Sequence, residues 1–466
     1  MSIKTLNHFD SLKLSLKHVR VSLIAGMGFF TDAYDLFSIT IVLYILSVYA
    51  EPSFPLNLKV LSLPLSAYLA TSAILFAIVG QLLFGIISDK LGRKKVYGLE
   101  ATLLALGAIL SAFSPNIYWL IASRALLGVG IGGDYPVSSV IASEYGNAKD
   151  RGKMVALVFS NQGLGIIAAV LVGIVSALFI PPSIAWRTVL GVAAIPALAV
   201  IYFRRKMPET PRYSYHVKKD INELKKAAEY FGIHSNYDLS QKGIDRAQKE
   251  RSSFSRFIKN YWKPLLITTT TWFILDIALY GTGVYSSFIT STIVPQLMKG
   301  TLSKAILMSG LPYIVGLPGY FSAVALIDRA GRKALQIGGF VFMAVIYFLT
   351  SFTLQKLSDP LIAFSLFAMS FYAINLGPNT TTFIIPSEIY PTSRRSTGHG
   401  ISAAAGKLGA AISTLYMPIW KITYGLPLIF LGLGLLSLTG AVLTTYLEEP
   451  KGVPLEIISN ETQVLV

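Results

Sequence analysis

The sequence predicts an all-α polytopic membrane protein whose twelve transmembrane helices form two six-helix bundles. Three observations lead to this prediction. Hydrophobic residues make up 53% of the 466 residues, and charged residues only 14%. The apolar residues occur in runs of about twenty or more, the length that a helix needs to cross a bilayer. Motifs of the first half of the chain also recur in the second half.

Twelve apolar runs can span a membrane, six on each side of a long polar segment. The runs cover residues 20–47, 62–87, 95–114, 117–142, 154–180, 186–203, 264–292, 303–327, 334–354, 360–386, 398–420 and 424–446. This pattern predicts a six-helix bundle at 1–203, a cytoplasmic linker loop at 204–263, a second bundle at 264–446 and a tail at 447–466.

The basic residues predict the orientation of the helices. If the N-terminus is cytoplasmic, the two tails and the even-numbered connections hold 32 of the 40 Lys and Arg; 6 lie on the opposite side and 2 within spans. Because cytoplasmic connections are enriched in basic residues, we expect a multi-pass protein of the cell membrane with both termini cytoplasmic. The formal charge of +16 is then mainly a topology signal. A lipid bilayer is therefore the expected partner, and nucleic acid is not.

The composition also limits the chemistry. The chain has no cysteine, which excludes disulfides and thiolate metal sites. It shows no nucleophile motif and no metal-ligand spacing. We therefore expect neither an enzyme, nor a cofactor, nor a metal site, and the sequence predicts no particular oligomeric state.

Two pairs of motifs indicate that one six-helix unit is duplicated. GIISDKLGRKK at 85–95 recurs as VALIDRAGRKA at 324–334, an offset of 239 residues. SEYGNAKDRG at 143–152 recurs as SEIYPTSRRS at 387–396, an offset of 244 residues. The same offset relates Asp32 in the first helix to Asp276 in the seventh. In transporters built from such parallel repeats, the substrate binds near the midplane between the halves.

Each repeated loop places a carboxylate and basic residues beside a glycine turn. Such pairs can latch the cytoplasmic side shut and break when it opens; the simpler alternative is a solvated basic loop that serves only topology. We predict eight gating residues in these motifs: Asp89, Arg93, Glu144, Arg151, Asp328, Arg332, Glu388 and Arg395. The GxxxD(K)xGRK pattern resembles the signature loop of the major facilitator superfamily, whose two-domain, twelve-helix plan matches the whole chain.

Charged residues well within the predicted spans are few. They are Asp32, Asp35, Arg124, Asp134, Asp276 and Lys407. A charge at this depth costs at least about 2.5–3.5 kcal/mol on insertion scales, so it persists with a partner or a function. Four acids face two bases, so some acid is protonated part of the time, as a proton-coupled carrier requires. The alternative is a permanent ion network that only fixes helix packing.

Asp32 and Asp35 are three residues apart and share one face of the first helix. Counting along the antiparallel first and fourth helices puts both near the depth of Asp134, while Arg124 lies ten residues from Asp134, about 15 Å along the helix. Arg124 therefore reaches Asp35 more easily than Asp134.

The seventh helix carries a polar and aromatic stripe. Trp272, Asp276 and Tyr280 are spaced four apart and lie on one face. Gln162, Asn379 and Lys407 also place hydrogen-bonding groups near mid-depth; together these side chains predict a polar cavity.

The predicted cavity suits a small protonated oxyanion. Lys407 supplies a positive charge, and the neutral side chains donate hydrogen bonds. A carboxylate such as Asp276 can accept the O–H of phosphate, whereas sulfate carries no proton near neutral pH and is repelled. The residues therefore favour phosphate over sulfate.

Six motifs resemble the phosphate:proton symporter family of the major facilitator superfamily: GMGFFTDAYDLF, GIGGDYPVSS, SNQGLG, TWFILDIALY, GPNTTTF and GISAAAGKLGA. The resemblance implies a secondary transporter that imports inorganic phosphate with protons. It implies phosphate ligands at Tyr135, Gln162, Trp272, Asp276, Tyr280, Asn379 and Lys407. It also implies a proton route through Asp32, Asp35, Arg124 and Asp134. Two other functions stay open: a proton-coupled carrier of a sugar or an organic acid, and a phosphate-binding membrane receptor.

Overall fold

Eleven continuous helical stretches are long and apolar enough to cross a membrane in the part of the chain that the computed structural model describes, residues 6, 9–49, 51–231, 253–357 and 359–461. The first six are α1 (Leu16–Val48), α2 (Leu65–Leu91), α3 (Arg93–Ala112), α4 (Ile117–Tyr145), α5 (Arg151–Phe179) and α6 (Pro182–Arg204). The next four are α7 (Phe254–Val284), α8 (Leu302–Ala330), α9 (Arg332–Leu357) and α10 (Pro360–Ile389), and the last stretch is Thr392–Thr444.

The last stretch contains two helices. At Gly425 the backbone leaves the helical region, with φ 72° and ψ 162°. We label residues 392–424 as α11 and residues 426–444 as α12. With this break the structure has the twelve predicted helices, and the predicted all-α class is confirmed. The two short strands, β1 (Lys59–Val60) and β2 (Leu63–Pro64), pair antiparallel between α1 and α2.

Several breaks fall inside helices that contact both halves. In α10, Gly377 separates Pro360–Leu376 from Pro378–Ile389. In α7, the helix ends at Val284, and a separate short helix, Ser286–Ile293, follows. Breaks of this kind are tolerated at membrane depth because neighbouring helices satisfy the freed backbone groups.

The two halves meet mainly through two helix pairs. The helix α2 packs on α11, and α5 packs on α8. These pairs are equivalent under the repeat, since each joins the second helix of one half to the fifth helix of the other. The interface between the halves therefore has an approximate two-fold arrangement.

The described N-terminal and C-terminal segments and the segment after α6 lie on one side of the helical bundle, which we call the terminal face. Residues 232–252 of the predicted linker loop lie outside the described residues. Before them, the short helix Ile221–Tyr230 packs Leu224 and Ala228 against Leu6 and Phe9 of the N-terminal segment. After α12, residues 449–461 return across the terminal face and contact both halves.

We predict that Gly425→Ala lowers the midpoint of thermal unfolding, because this backbone region is open essentially only to glycine and costs other residues about 1–3 kcal/mol. The measurement is thermal unfolding of the purified protein in detergent. Gly432→Ala is the matched control, because Gly432 lies in α12 and no atom comes within 4 Å of an added Cβ. Equal midpoints for the two variants would contradict the assigned break.

Candidate functional site

A lysine–aspartate ion pair lies between α7 and α11 in the middle of the protein. Lys407 Nζ is 2.9 Å from Asp276 Oδ2, and both side chains are 1% exposed. The ammonium also lies over two aromatic rings, 4.3 Å from the ring centroid of Tyr280 and 4.7 Å from that of Tyr135. Trp272, one turn before Asp276, is also buried. One cation thus contacts a carboxylate and two phenol rings from both halves.

An amide cluster lies beside this ion pair and also joins the halves. Gln162 Oε1 in α5 accepts hydrogen bonds from Tyr320 Oη at 2.9 Å and from Asn379 Nδ2 at 3.2 Å. Asn379 Nδ2 also lies 2.8 Å from Asn375 Oδ1. The sequence pattern did not single out Tyr320 or Asn375. Tyr320 lies in the apolar span of α8 and Asn375 in that of α10. A polar side chain within an apolar span is the signal that could have identified them.

The seven side chains predicted to bind phosphate form one buried group. None is more than 3% exposed. On the side away from the terminal face, Phe37 of α1 stacks on Tyr280, with ring centroids 5.4 Å apart, and meets Tyr313 of α8 edge-on at 5.3 Å. These rings therefore cover the group on the side away from the terminal face.

A second group of buried charges lies in the N-terminal half, where Arg204 pairs with two carboxylates. Its Nη2 lies 2.7 Å from Asp134 Oδ1, and its Nη1 lies 2.9 Å from Glu100 Oε1. The guanidinium also lies over the Tyr97 ring, 4.1 Å from the centroid. The carboxyl of Asp32 borders the same group, and in the described structure neither of its oxygens has a hydrogen-bond partner. A buried carboxylate without a partner is costly in its ionised form.

Two buried charged residues, Arg204 and Glu100, are not among the charges predicted within the membrane spans. Arg204 opens a basic run and therefore reads as part of the linker, but it is 1% exposed and lies at the end of α6. Glu100, also 1% exposed, falls within the predicted span 95–114. Adding these two residues to the six charges predicted within the spans gives five acids and three bases rather than four and two. A lone acid in an apolar run was the signal that could have identified Glu100.

A small cavity separates the members of this charged group. Its volume is about 10 Å³, close to what one water molecule needs. The cavity is lined by Asp32, Glu100, Asp134 and Arg204. Gly28 of α1 packs directly on the ion pair, since an added Cβ would collide with Arg204 Nη2 and Asp134 Oδ2.

Arg124 contacts Asp35 and not Asp134, as the helix spacing suggests. Its Nη2 donates to the main-chain carbonyl of Asp35 at 2.9 Å. The two neighbouring acids of α1 therefore belong to different groups, Asp32 to the Arg204 group and Asp35 to Arg124.

The predicted gating residues form two equivalent networks at the terminal face. In the first, Arg93 lies 3.2 Å from Asp89 and 3.0 Å from Glu144. Arg395 of the other half lies 3.0 Å from the same Glu144. Asp89 also accepts the amide hydrogen of Thr397, across the interface, at 2.7 Å. This network therefore ties α2 and α4 to α11.

The second network repeats the first with the halves exchanged. Arg332 lies 2.8 Å from both Asp328 and Glu388, and Arg151 of the N-terminal half lies 3.0 Å from Glu388. Asp328 accepts the amide hydrogen of Lys153 at 2.8 Å. All eight predicted residues are thus in these two networks, and each network has one arginine from the opposite half.

The chain segments on the terminal face add further contacts that the sequence pattern did not suggest. Arg212, in the PETPR stretch after α6, lies 2.6 Å from Asp10 and 2.9 Å from Glu456. Burial raises the pKa of the Glu456 carboxyl, but Arg212 and His216 outweigh this and hold its pKa well below its usual range. Glu456 is therefore ionised, and the C-terminal segment is tied to the N-terminal half.

Comparison with known proteins assigns the chain to a family. The family described as "Sugar (and other) transporter" matches residues 21–461. The chain belongs to this transporter family. Its relatives include the inorganic phosphate transporter 1-1 of Arabidopsis thaliana, which is 36% identical and aligns over 98% of both chains. The low affinity inorganic phosphate transporter 3 of Petunia hybrida is also 36% identical, over 99% of this chain and 95% of the relative.

A solved structure of the major facilitator superfamily shares the fold. The proton:xylose symporter XylE, of the major facilitator superfamily, superimposes with a TM-score of 0.80 over 95% of this chain and 98% of that chain. The two sequences are 20% identical, so this likeness is one of fold. The family member described here is therefore a transporter of the major facilitator fold and not an enzyme.

We predict that Asp276→Asn lowers the midpoint of thermal unfolding by about 5 °C or more, because it leaves the Lys407 charge buried without a partner. Adding Lys407→Gln should recover at least half of the loss, since both charges are then removed. The measurement is a double-mutant cycle of unfolding midpoints in detergent. A double variant no more stable than the single variant would show that the pair is not energetically coupled.

Proposed function

We propose that this protein imports inorganic phosphate together with protons, by alternating access. The observation that carries the proposal is the buried Lys407–Asp276 pair, surrounded by neutral hydrogen-bond donors at the interface of the halves. The full-length similarity to proteins named inorganic phosphate transporters supports the same cargo.

The proposed phosphate site uses both members of the ion pair. Lys407 attracts the anion, and the phenol, indole and amide groups of Tyr135, Tyr280, Trp272, Gln162 and Asn379 donate hydrogen bonds to its oxygens. Asp276 accepts the P–OH hydrogen. In the absence of cargo, the lysine and aspartate neutralise each other, which lowers the cost of moving the empty carrier through its cycle.

The proposed proton route is the Arg204 group in the N-terminal half. Three carboxylates surround a single guanidinium, so the group carries excess negative charge unless it binds protons. Asp32, whose buried carboxyl oxygens have no hydrogen-bond partner in the described structure, supports a bound proton in this group. Tyr135 of the phosphate site follows Asp134 directly in the chain, so protonation and phosphate binding act on one turn of α4. Asp35 and Arg124, which are joined through the main-chain carbonyl of Asp35, belong to the same proposed route.

The proposed cycle places the terminal face in the cytoplasm of a cell membrane, in agreement with the distribution of basic residues. Outside, protons and phosphate enter while the two gating networks hold the terminal face closed. Opening towards the cytoplasm then requires the contacts of Arg151 and Arg395 across the halves to break. Phosphate and protons leave, and the networks form again.

Sulfate competition tests the assigned cargo and the role of Asp276. We expect unlabelled phosphate to displace labelled phosphate from the purified protein at least 100-fold more effectively than sulfate, because only phosphate can donate to the carboxylate. Asp276→Asn should reduce this preference at least tenfold, since the like-charged contact with sulfate disappears.

Asp359→Asn is the control for the competition measurement, because Asp359 caps α10 at its exposed end and asparagine caps equally well. Equal displacement by sulfate in the wild type would contradict the phosphate site. Displacement by a pentose or a carboxylic acid would favour the other cargoes, and binding without any transport would favour a receptor.

Asp134→Asn tests the proton route separately from the phosphate site. The substitution removes an ionisable group but leaves the proposed ligands intact. In proteoliposomes, we expect exchange of labelled for unlabelled phosphate to persist within about threefold, while accumulation driven by a pH gradient falls more than tenfold. Accumulation equal to that of the wild type would show that Asp134 carries no coupling proton.

A further inference from the structure

Aromatic rings from both halves meet at Phe383, in the second segment of α10. Its ring centroid lies 4.8 Å from that of Phe29 and 4.7 Å from that of Phe159. It also lies 6.2 Å from that of Tyr135 and 6.5 Å from that of Trp272. We call these five rings, which come from five different helices, the inner aromatic layer.

The inner aromatic layer lies between the proposed phosphate site and the gating networks. Phe383 follows Asn379 by one helical turn, about 6 Å, in the direction of the terminal face. Glu388, which belongs to the second gating network, follows a little more than one turn later. A phosphate that leaves towards the terminal face therefore has to pass this layer.

His399 of α11 holds this layer by a hydrogen bond to Phe383 itself. Its Nε2 lies 3.0 Å from the Phe383 main-chain carbonyl oxygen. A carbonyl oxygen only accepts, so Nε2 carries the hydrogen and donates it. The imidazole also meets the rings of Phe383 and Trp272 edge-on, with centroids 5.3 and 5.4 Å away. His399 is fully buried.

The local sequence weakens α10 next to this contact. Pro386 lies within the helix segment Pro378–Ile389 and has no N–H to donate to the carbonyl four residues earlier. The helical bonding is therefore weakened beside Phe383. A hydrogen-bond donor from another helix, such as His399 of α11, can fix the position of this segment. Breaking that hydrogen bond can then release the segment.

The repeat indicates that the fold alone does not require these two side chains. The offset of 244 residues relates Phe383 to Ser139 and His399 to Val155. The equivalent positions of the N-terminal half thus hold neither an aromatic ring nor an imidazole, although its helices are arranged in the same way. The pair is specific to the C-terminal half, which also supplies Trp272, Asp276 and Lys407.

We propose that His399 is a positioning residue of the transport cycle: its Nε2–H holds Phe383 across the phosphate site, so that the site opens to the terminal face only when this bond breaks. This inference rests on the proposed phosphate transport. If the hydrogen bond from His399 to Phe383 is lost, phosphate should cross the membrane without accompanying protons. Coupled transport then becomes an uncoupled leak of phosphate.

Two amide variants separate the roles of the two ring nitrogens. In His399→Gln the amide nitrogen reaches the position of Nε2 and can still donate to Phe383. In His399→Asn the shorter side chain reaches only the position of Nδ1. The measurements, in proteoliposomes, are phosphate accumulation driven by a pH gradient and exchange of labelled for unlabelled phosphate without a gradient.

We expect His399→Asn to lower the accumulation ratio at least fivefold without slowing exchange, while His399→Gln stays within twofold of the wild type. A merely structural role would slow exchange and accumulation together. Wild-type accumulation in His399→Asn, or equal losses in both variants, would overturn the proposal.

Phe383→Leu provides an independent test if His399→Asn does not fold. It removes the ring but keeps an apolar side chain, so we expect the same loss of accumulation with preserved exchange. Retained accumulation in Phe383→Leu would also overturn the proposal. Absence of phosphate exchange in the wild type would instead contradict the assigned cargo, so the two failures are distinguishable.

Discussion

The need to compensate buried charge governs the interior of this protein. A carboxylate, ammonium or guanidinium at membrane depth costs several kcal/mol unless a counter-charge or a proton neutralises it. Lys407 has one carboxylate partner, and this pair is neutral until an anion arrives. Arg204 lines a small cavity with three carboxylates, so this group is electrically balanced only when it binds protons. The Lys407 site is thus suited to an anion and the Arg204 group to protons, although the same need to compensate buried charge applies to both.

The two halves use one helical plan for different chemistry. The gating networks repeat almost side chain for side chain, because closing the terminal face requires the same contacts from both halves. The interior does not repeat. Asp32 and Asp276 are equivalent by sequence offset, yet Asp32 lines a cavity with two other carboxylates and Asp276 pairs with a lysine. Gly28, which leaves room for Arg204, is equivalent to Trp272. The duplicated scaffold therefore carries two different sites.

Much of this architecture could be predicted from the sequence, because membrane helices and repeated motifs leave strong local signals. Apolar runs fix the spans, and the paired GRK loops predict residues that do meet in two networks. Arg204 could not be assigned in this way. A basic residue at the end of a span gives the same sequence pattern whether its side chain is exposed to water or buried in the protein. Tyr320 and the His399–Phe383 contact depend on helix packing, which spacing along one helix does not encode.

In the proposed cycle, protons and phosphate cross the membrane together. The most direct test is the internal pH of proteoliposomes that contain the wild-type protein and a trapped pH-sensitive dye. With no imposed gradient and with the membrane potential clamped, phosphate added outside should acidify the interior beyond what the ionisation of the entering phosphate explains, and the same amount of sulfate should not. Phosphate entry without this additional acidification would contradict coupling, and the buried carboxylates around Arg204 would then have only a structural role.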